Sequence, residues 1–348
     1  MMQSHPQSDL ALPLERQNAL AHAIQSNVPF VSRPFAAIGE ALGVSEEAVL
    51  GQVSRWQSEG KLREVSAILE GSALGYDSAL VAGRVPVDRL DEVAAIVNAH
   101  PTVTHNYLRN HDYNLWFTIA VPHEMGLERT LALLAAQAGV PEFFPLRRTH
   151  TFKVGVNFDL VSKTSTTAVV ALEAPVAFSP SERDALLFRA LQTPLPLTLR
   201  PFASLAARAG VSEATLLDFA RGHLGNAMRR YVGTFHHRRL GVRGNGMVVW
   251  RAPNEELPRL GPLLAQAPEV SHCYARNSIP GFDFTLYSML HGPSDEACRD
   301  IAGGLAARLG IADYLILFSS HEYKKCRLRY FLPELDAWWA QSTVARAS

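Results

Sequence analysis

Val103-Thr104-His105-Asn106-Tyr107-Leu108-Arg109-Asn110 returns 167 positions later as Val270-Ser271-His272-Cys273-Tyr274-Ala275-Arg276-Asn277, so both copies read V-x-H-x-Y-x-R-N. In a β-strand, residues two apart share a face. His105, Tyr107 and Arg109 therefore point one way together, as do His272, Tyr274 and Arg276. A sheet face is ordinarily covered with Val, Ile or Leu, and a polar, partly cationic row requires a reason. Two are available: a salt-bridged interface or a site for an anionic ligand.

The 167-residue offset holds elsewhere. Arg33-Pro34-Phe35 recurs as Arg200-Pro201-Phe202, and Gly43-Val44-Ser45-Glu46 as Gly210-Val211-Ser212-Glu213. Constant spacing over three motifs indicates duplicated halves. Each half opens with apolar residues at helical spacing, a helix stopped by glycine, a third helix capped by serine and then a short strand, which is the helix-turn-helix plan. Alternating patterns follow in the order βαββαβ, the ferredoxin-like arrangement. The expected fold is α+β, a tandem duplication of a winged helix-turn-helix unit followed by a ferredoxin-like domain. The expected segments are helix-turn-helix units over 14–70 and 181–240, ferredoxin-like domains over 75–160 and 244–333, and a linker over 161–180.

The 348 residues suit two to four domains, and 47% hydrophobic content allows buried cores. Lys plus Arg and Asp plus Glu both total 33, so no global field draws the chain to nucleic acid or an anionic membrane, and any basic site is local. The segment from Met1 to Pro13 lacks the pattern of a signal peptide, and no apolar run is long enough to span a bilayer, which predicts a soluble cytoplasmic protein. Cys273, Cys298 and Cys326 have no CxxC spacing and predict ordinary thiols, with neither a disulfide framework nor a zinc site.

The helical units followed by ferredoxin-like domains resemble the Lrp/AsnC regulators. More specifically, the run from His105 through Arg109, Asn110, His111, Asp112, Tyr113, Asn114, Leu115 and Trp116 to Thr118 resembles the signature of the siroheme decarboxylases. His272-Cys273-Tyr274-Ala275-Arg276 and Glu322-Tyr323-Lys324-Lys325-Cys326-Arg327-Leu328-Arg329 are similar to the partner subunit of those enzymes, so the chain looks like both subunits fused. The resemblance implies removal of CO₂ from the two acetate side chains of siroheme, at C12 and C18, giving 12,18-didecarboxysiroheme in heme d1 or alternative heme synthesis. It also implies no cofactor beyond the iron tetrapyrrole substrate.

Siroheme is a flat apolar macrocycle edged by eight carboxylates, so its pocket needs apolar walls and several cations. Arg109, Arg276, Lys324, Lys325, Arg327 and Arg329 are the candidate anchors, with Tyr107, Tyr113, Trp116, Tyr274 and Tyr323 as walls. The carbon that loses CO₂ must gain a proton, and His105, His111, His272 and His321 are the candidate donors. His105 or His272 could instead ligate the iron. His321 stands where the family commonly has Arg, and Ser278-Ile279-Pro280 replaces His111-Asp112-Tyr113 in the second half. Two candidate pockets are expected, one of them productive, with the more basic second half the better carboxylate binder. His5, His22, His100, His123, His223 and His291 are read as ordinary structural or surface imidazoles.

The alternative is a heme-responsive DNA-binding regulator of the Lrp/AsnC type. Its reading helix would need exposed cations to reach phosphates and bases. Between Ser45 and Gly60 only Arg55 is cationic, and Ser212 to Gly222 carries Glu213, Asp218 and Arg221. DNA is therefore not the expected partner. A carrier without chemistry would share all the binding features. Because regulators of this type pair through their sheets, the fused chain is expected to form an intramolecular pseudo-dimer, with further oligomerisation open.

Overall fold

A computed structural model describes residues 12–154, 157–158, 165–166, 176–235 and 244–344. The expected linker over 161–180 lies largely outside these residues, and His236-His237 and Arg238-Arg239 lie wholly outside them. In chain order the elements begin α1 (Leu14–Ser26), α2 (Pro34–Leu42), α3 (Glu46–Ser58), β1 (Leu62–Leu69), β2 (Tyr76–Gly83), α4 (Leu90–Ala99), β3 (His105–Arg109) and β4 (Leu115–Pro122). Then come α5 (Leu127–Ala138), β5 (Phe143–Val154), β6 (Asn157–Phe158), β7 (Ser165–Thr166), α6 (Glu182–Gln192), α7 (Pro201–Arg208), α8 (Glu213–His223) and β8 (Met228–Phe235). The last are β9 (Gly244–Trp250), α9 (Leu257–Ala265), β10 (Val270–Arg276), β11 (Leu286–Gly292), α10 (Asp295–Leu309), β12 (Tyr314–Lys325) and α11 (Pro333–Val344). Their described residues form two compact units, one of 12–69, 157–158 and 186–235, the other of 70–154, 165–166, 176–185 and 244–344.

In the first unit the repeated motifs build the turn between two helices, twice. Pro34 and Pro201 start α2 and α7, where a missing N–H costs nothing, and Phe35 and Phe202 are buried beside them. Gly43 ends α2 at φ 65°. Ser45 Oγ accepts from Ala48 N at 3.2 Å, and Ser212 Oγ from Thr215 N at 3.1 Å, capping α3 and α8. Glu46 and Glu213 then ion-pair back to Arg33 and Arg200. The short strand expected after the third helix spans Leu62–Leu69, and it pairs antiparallel with β8 from the other repeat. A lone strand would leave its backbone groups unsatisfied, so each copy supplies the other's partner. Ile24, Trp56, Phe188, Phe202 and Tyr231 are buried in this unit, with the Trp56 and Phe235 rings 5.4 Å apart.

The second unit is a closed eight-stranded barrel in the order β10-β11-β9-β12-β3-β4-β2-β5. Each half contributes four neighbouring strands, β3-β4-β2-β5 and β10-β11-β9-β12. The last strand of each half crosses to pair with the second strand of the other, β12 with β3 and β5 with β10. Closure leaves no sheet edge to the solvent. Two apolar clusters hold the helices on the outside: Val93, Val97, Phe117, Leu131 and Leu134 in the first half, and Trp250, Leu260, Leu264, Leu286 and Leu305 in the second.

Long-range contacts pin each crossing strand. Lys153 Nζ, on β5, donates to the Ala267 carbonyl at 2.9 Å. At the related place on β12, Lys324 Nζ donates to the Asn98 and His100 carbonyls at 2.6 and 3.4 Å. Phe152 lies so close to α9 that a Cβ on Gly261 would meet its ring carbons at 2.4 to 2.5 Å. Gly261→Ala is therefore expected to destabilise the fold by about 1–3 kcal/mol through overpacking, read by urea denaturation; unchanged stability would mean the ring moves aside freely.

Helix α11 was not anticipated. Through it Trp338 and Trp339 dock on the protein itself, Trp338 4.3 Å from the His100 ring and Trp339 with Arg129 4.7 Å above its ring. His100 is buried, and burial followed by the Lys324 charge pushes its pKa down to about 3. Because the folded pKa lies below the ordinary 6.5, the unfolded chain binds the proton first, and stability falls as pH drops from about 6.5 towards 3. His100→Gln is expected to remove up to about 1.4 kcal/mol per pH unit of that slope, measured by denaturation at pH 7, 6 and 5. An unaltered slope would show that His100 does not titrate on unfolding.

Two strands are limited by packing. β12 ends at Lys325, within the basic run, and beyond it Tyr330 packs on Tyr76 with rings 4.9 Å apart. β11 starts only at Leu286, because Phe282 and Phe284 turn into a core with Tyr113 and Trp116. Among the described residues no helix is long and apolar enough to cross a membrane.

Candidate active site

Both V-x-H-x-Y-x-R-N rows face one cavity of about 440 Å³. Their strands β3 and β10 lie on opposite seams of the barrel, and closure turns the two polar faces toward a shared interior. The expectation of two separate pockets is thereby corrected. The cavity is lined by His105, Tyr107 and Arg109 from one row and His272, Tyr274 and Arg276 from the other, with Trp116, Tyr287, Leu80, Met247 and Met289 as wall. A recess of about 270 Å³ shares His105, Thr118, Arg148 and Arg276 and adds the hydroxyls of Ser78, Thr102 and Thr104.

The two arginines are held alike. Arg109 Nη1 donates to the Leu317 carbonyl on β12, and Arg276 Nη1 to the Leu146 carbonyl on β5 at 2.8 Å. Each guanidinium also lies 5.4 Å from the tyrosine ring of its own row. Among the described residues neither Nε finds a hydrogen-bond partner. Burial lowers both to a pKa of about 10, which still leaves them cationic at neutral pH. Arg148 and Lys325 add two further cations, and no Asp or Glu is among the described residues lining the cavity. Arg148 and Lys325 are exposed, but Arg109 and Arg276, drawn out of water without a carboxylate, are costly to hold there unless an anion arrives.

The two imidazoles sit in different surroundings. His105 Nδ1 lies 3.0 Å from Thr104 Oγ1 and 3.4 Å from Thr118 Oγ1. His272 Nδ1 lies 2.9 Å from Ser271 Oγ.

Eight of the expected site residues line the cavity: His105, His272, Tyr107, Arg109, Trp116, Tyr274, Arg276 and Lys325. Seven do not. His111 stacks on Tyr113, and its Nδ1 accepts from Tyr113 N at 3.0 Å; burial lowers its pKa. Tyr113 is fully buried, its hydroxyl donating to the Pro280 carbonyl at 2.7 Å. Tyr323 points outward to Asp91, at 3.1 Å, and Lys324 is committed to the α4 terminus. His321 is exposed, its ring 4.5 Å from that of Tyr323, while Arg327 and Arg329 lie past the end of β12.

Sequence reading missed Arg148, Tyr287 and His291, all of which line the cavity. Arg148 shares a strand face with Leu146 and His150, a period-2 signal that was present, but which cavity that face meets is set by the β5–β10 pairing. A larger cleft of about 630 Å³ surrounds Arg251, whose charge is already matched by Asp283 and Asp313, and it contains none of the repeated residues.

Comparison with known proteins follows the same lines. The model of the AsnC-like ligand binding domain matches twice, over residues 73–153 and 239–324. That of the siroheme decarboxylase NirDL-like HTH domain also matches twice, over 17–63 and 184–223. A siroheme decarboxylase of Hydrogenobacter thermophilus is 35% identical over 323 residues, covering 91% of this chain and 96% of the relative. This chain belongs to the siroheme decarboxylase family. The family's members also occur as separate subunits: the siroheme decarboxylase alpha subunit of Desulfovibrio desulfuricans is 39% identical over 145 residues, 42% of this chain and 82% of its own length. Among solved structures, the siroheme decarboxylase NirDL in co-complex with an iron-uroporphyrin III analogue superposes with a TM-score of 0.80 at 30% identity, over 95% of this chain and 99% of that one. The decarboxylase resemblance read from the strand motifs is thus upheld over 91% of the chain.

Proposed function

We propose that this chain is a carboxy-lyase that removes CO₂ from the C12 and C18 acetate side chains of siroheme, giving 12,18-didecarboxysiroheme for heme d1 or alternative heme synthesis. The observation that carries the reading is the cavity itself, in which Arg109, Arg148, Arg276 and Lys325 converge with no acid among the described lining residues, in a member of this family. Its charge fits a polycarboxylate, and Trp116, Tyr287, Leu80 and Met247 fit the flat apolar face of a macrocycle. The arginines anchor carboxylates by charge-assisted hydrogen bonds, leaving an acetate beside an imidazole. When its C–C bond breaks, the electron pair passes into the conjugated macrocycle, and His272 or His105 supplies the proton that completes the methyl group. The other imidazole is available to the iron. Tyr113, Tyr323 and Lys324 serve this reading only by holding the walls.

We also infer that the chain arose by tandem duplication of a winged helix-turn-helix unit and a ferredoxin-like domain, and that the paired halves act as an intramolecular pseudo-dimer. The offset of 167 residues, the doubly matching family models and the reciprocal crossing of β5 and β12 support this. The direct test is anaerobic incubation of the purified protein with siroheme, followed by mass spectrometry. Two successive losses of CO₂ are expected. Binding without loss would leave a carrier, and neither binding nor loss would sink the reading.

A further inference from the structure

Behind His272 stands a second imidazole that the repeat does not duplicate. Ser271 Oγ lies 2.9 Å from His272 Nδ1 and 2.7 Å from His291 Nε2. The register makes the asymmetry explicit: Asn245 pairs with His291, whereas its counterpart Ser78, 167 positions earlier, pairs with Ala120. In the first half the hydroxyls of Thr104 and Thr118, 2.7 Å from each other, stand at this place beside His105 Nδ1. A hydroxyl hydrogen shared between two such oxygens can point either way, so this pair by itself does not set the direction of the bond to His105 Nδ1.

We infer that His291 is a positioning residue that fixes His272, through Ser271, as the proton donor for decarboxylation. In the imidazolium form that delivers the proton, His272 Nδ1 has no lone pair to accept with, so the Ser271 hydroxyl hydrogen goes to His291 Nε2 at 2.7 Å in preference to the Met289 carbonyl at 3.4 Å. Ser271 Oγ is then left as an acceptor, and the Nδ1–H of His272 donates to it. With Nδ1–H held, the second proton of the His272 imidazolium sits on Nε2. As the acetate C–C bond breaks, CO₂ leaves and its bonding electron pair stays with the substrate. The Nε2 proton forms the new C–H bond, and His272 is left as the neutral Nδ1–H form that Ser271 already accommodates. No ring flip is required, and Nε2 regains a proton from water after product release. The reaction itself rests on the proposed function; the hydrogen-bond order does not.

The test compares variants that keep or remove each link. His291→Leu and Ser271→Ala are expected to lower kcat for CO₂ release from siroheme about tenfold with KM within about twofold. Ser271→Thr, which restores the hydroxyl found at Thr104, and His291→Gln, whose Oε1 can accept as Nε2 does, are expected to recover most of that loss. Equal losses in the Leu and Gln variants, an unchanged kcat in His291→Leu, or a rise in KM alone would overturn the proposal. ¹⁵N NMR of histidine-labelled protein reads the tautomer without turnover: His272 should carry its proton on Nδ1 in the wild type and become a tautomer mixture in His291→Leu. A mixture already present in the wild type would overturn the proposal. A fixed tautomer in a protein that releases no CO₂ would uphold the positioning and sink the decarboxylase reading.

Discussion

Arg276→Met is expected to weaken siroheme binding and lower kcat/KM by about 10²-fold, the roughly 2–4 kcal/mol lost when a desolvated cation is removed from a charged partner. The same variant should unfold no more easily than the wild type in the absence of siroheme. Arg276 Nε is enclosed without a partner, and the pKa, lowered to about 10 by burial, records the cost of keeping the cation there. Methionine fills similar space without that cost. Tyr274 and Tyr287, whose rings lie 5.4 and 5.6 Å from the guanidinium, offset it only in part. Siroheme titration followed by absorbance, together with thermal denaturation with and without siroheme, checks both halves of the expectation. A variant that binds normally would remove Arg276 from the anchors, and one that unfolds early would make it a structural residue.

His272→Ala should abolish turnover while sparing binding. Loss of a positioned proton donor lowers kcat by about 10² to 10⁴-fold, whereas the anchoring cations and aromatic wall are untouched. His105 lines the same cavity from the opposite row, so His105→Ala is the matched control. Product mass after a fixed time, with binding measured by absorbance in parallel, separates the effects. Full activity in His272→Ala would move the donor role to His105.

The helical units show how a repeated motif can be wholly legible from its local role in the fold. Arg33-Pro34-Phe35 and Gly43-Val44-Ser45-Glu46 recur because their residues start a helix, fill a core, end that helix, cap the next and pair back to the arginine. Each of these roles depends on neighbours within about fifteen residues, so the sequence discloses them. The strand motif was equally legible in its period of two. The attached anchors were not: Lys324 and Tyr323 sit beside Lys325 in sequence, but only Lys325 faces the cavity, since bulges in the β12–β3 pairing and alternation along the strand turn the others toward α4. Tyr113 was misplaced for a related reason, being drawn into a core by Phe282 and Phe144.

By itself the sequence determined the 167-residue repeat, the order of helices and strands within each repeated half, the shared direction of His, Tyr and Arg within each row, and the family. All of these follow from periodicity, capping and direct repetition, which are local properties of the chain. Tertiary structure alone decided that the two rows meet in one cavity, that Arg148 and His291 join them, and that seven expected residues stay outside. Those outcomes depend on which strand edges pair across more than a hundred residues, β5 with β10 and β12 with β3. Backbone hydrogen bonding can satisfy many such pairings equally well, and the choice among them is made by burial of the whole barrel.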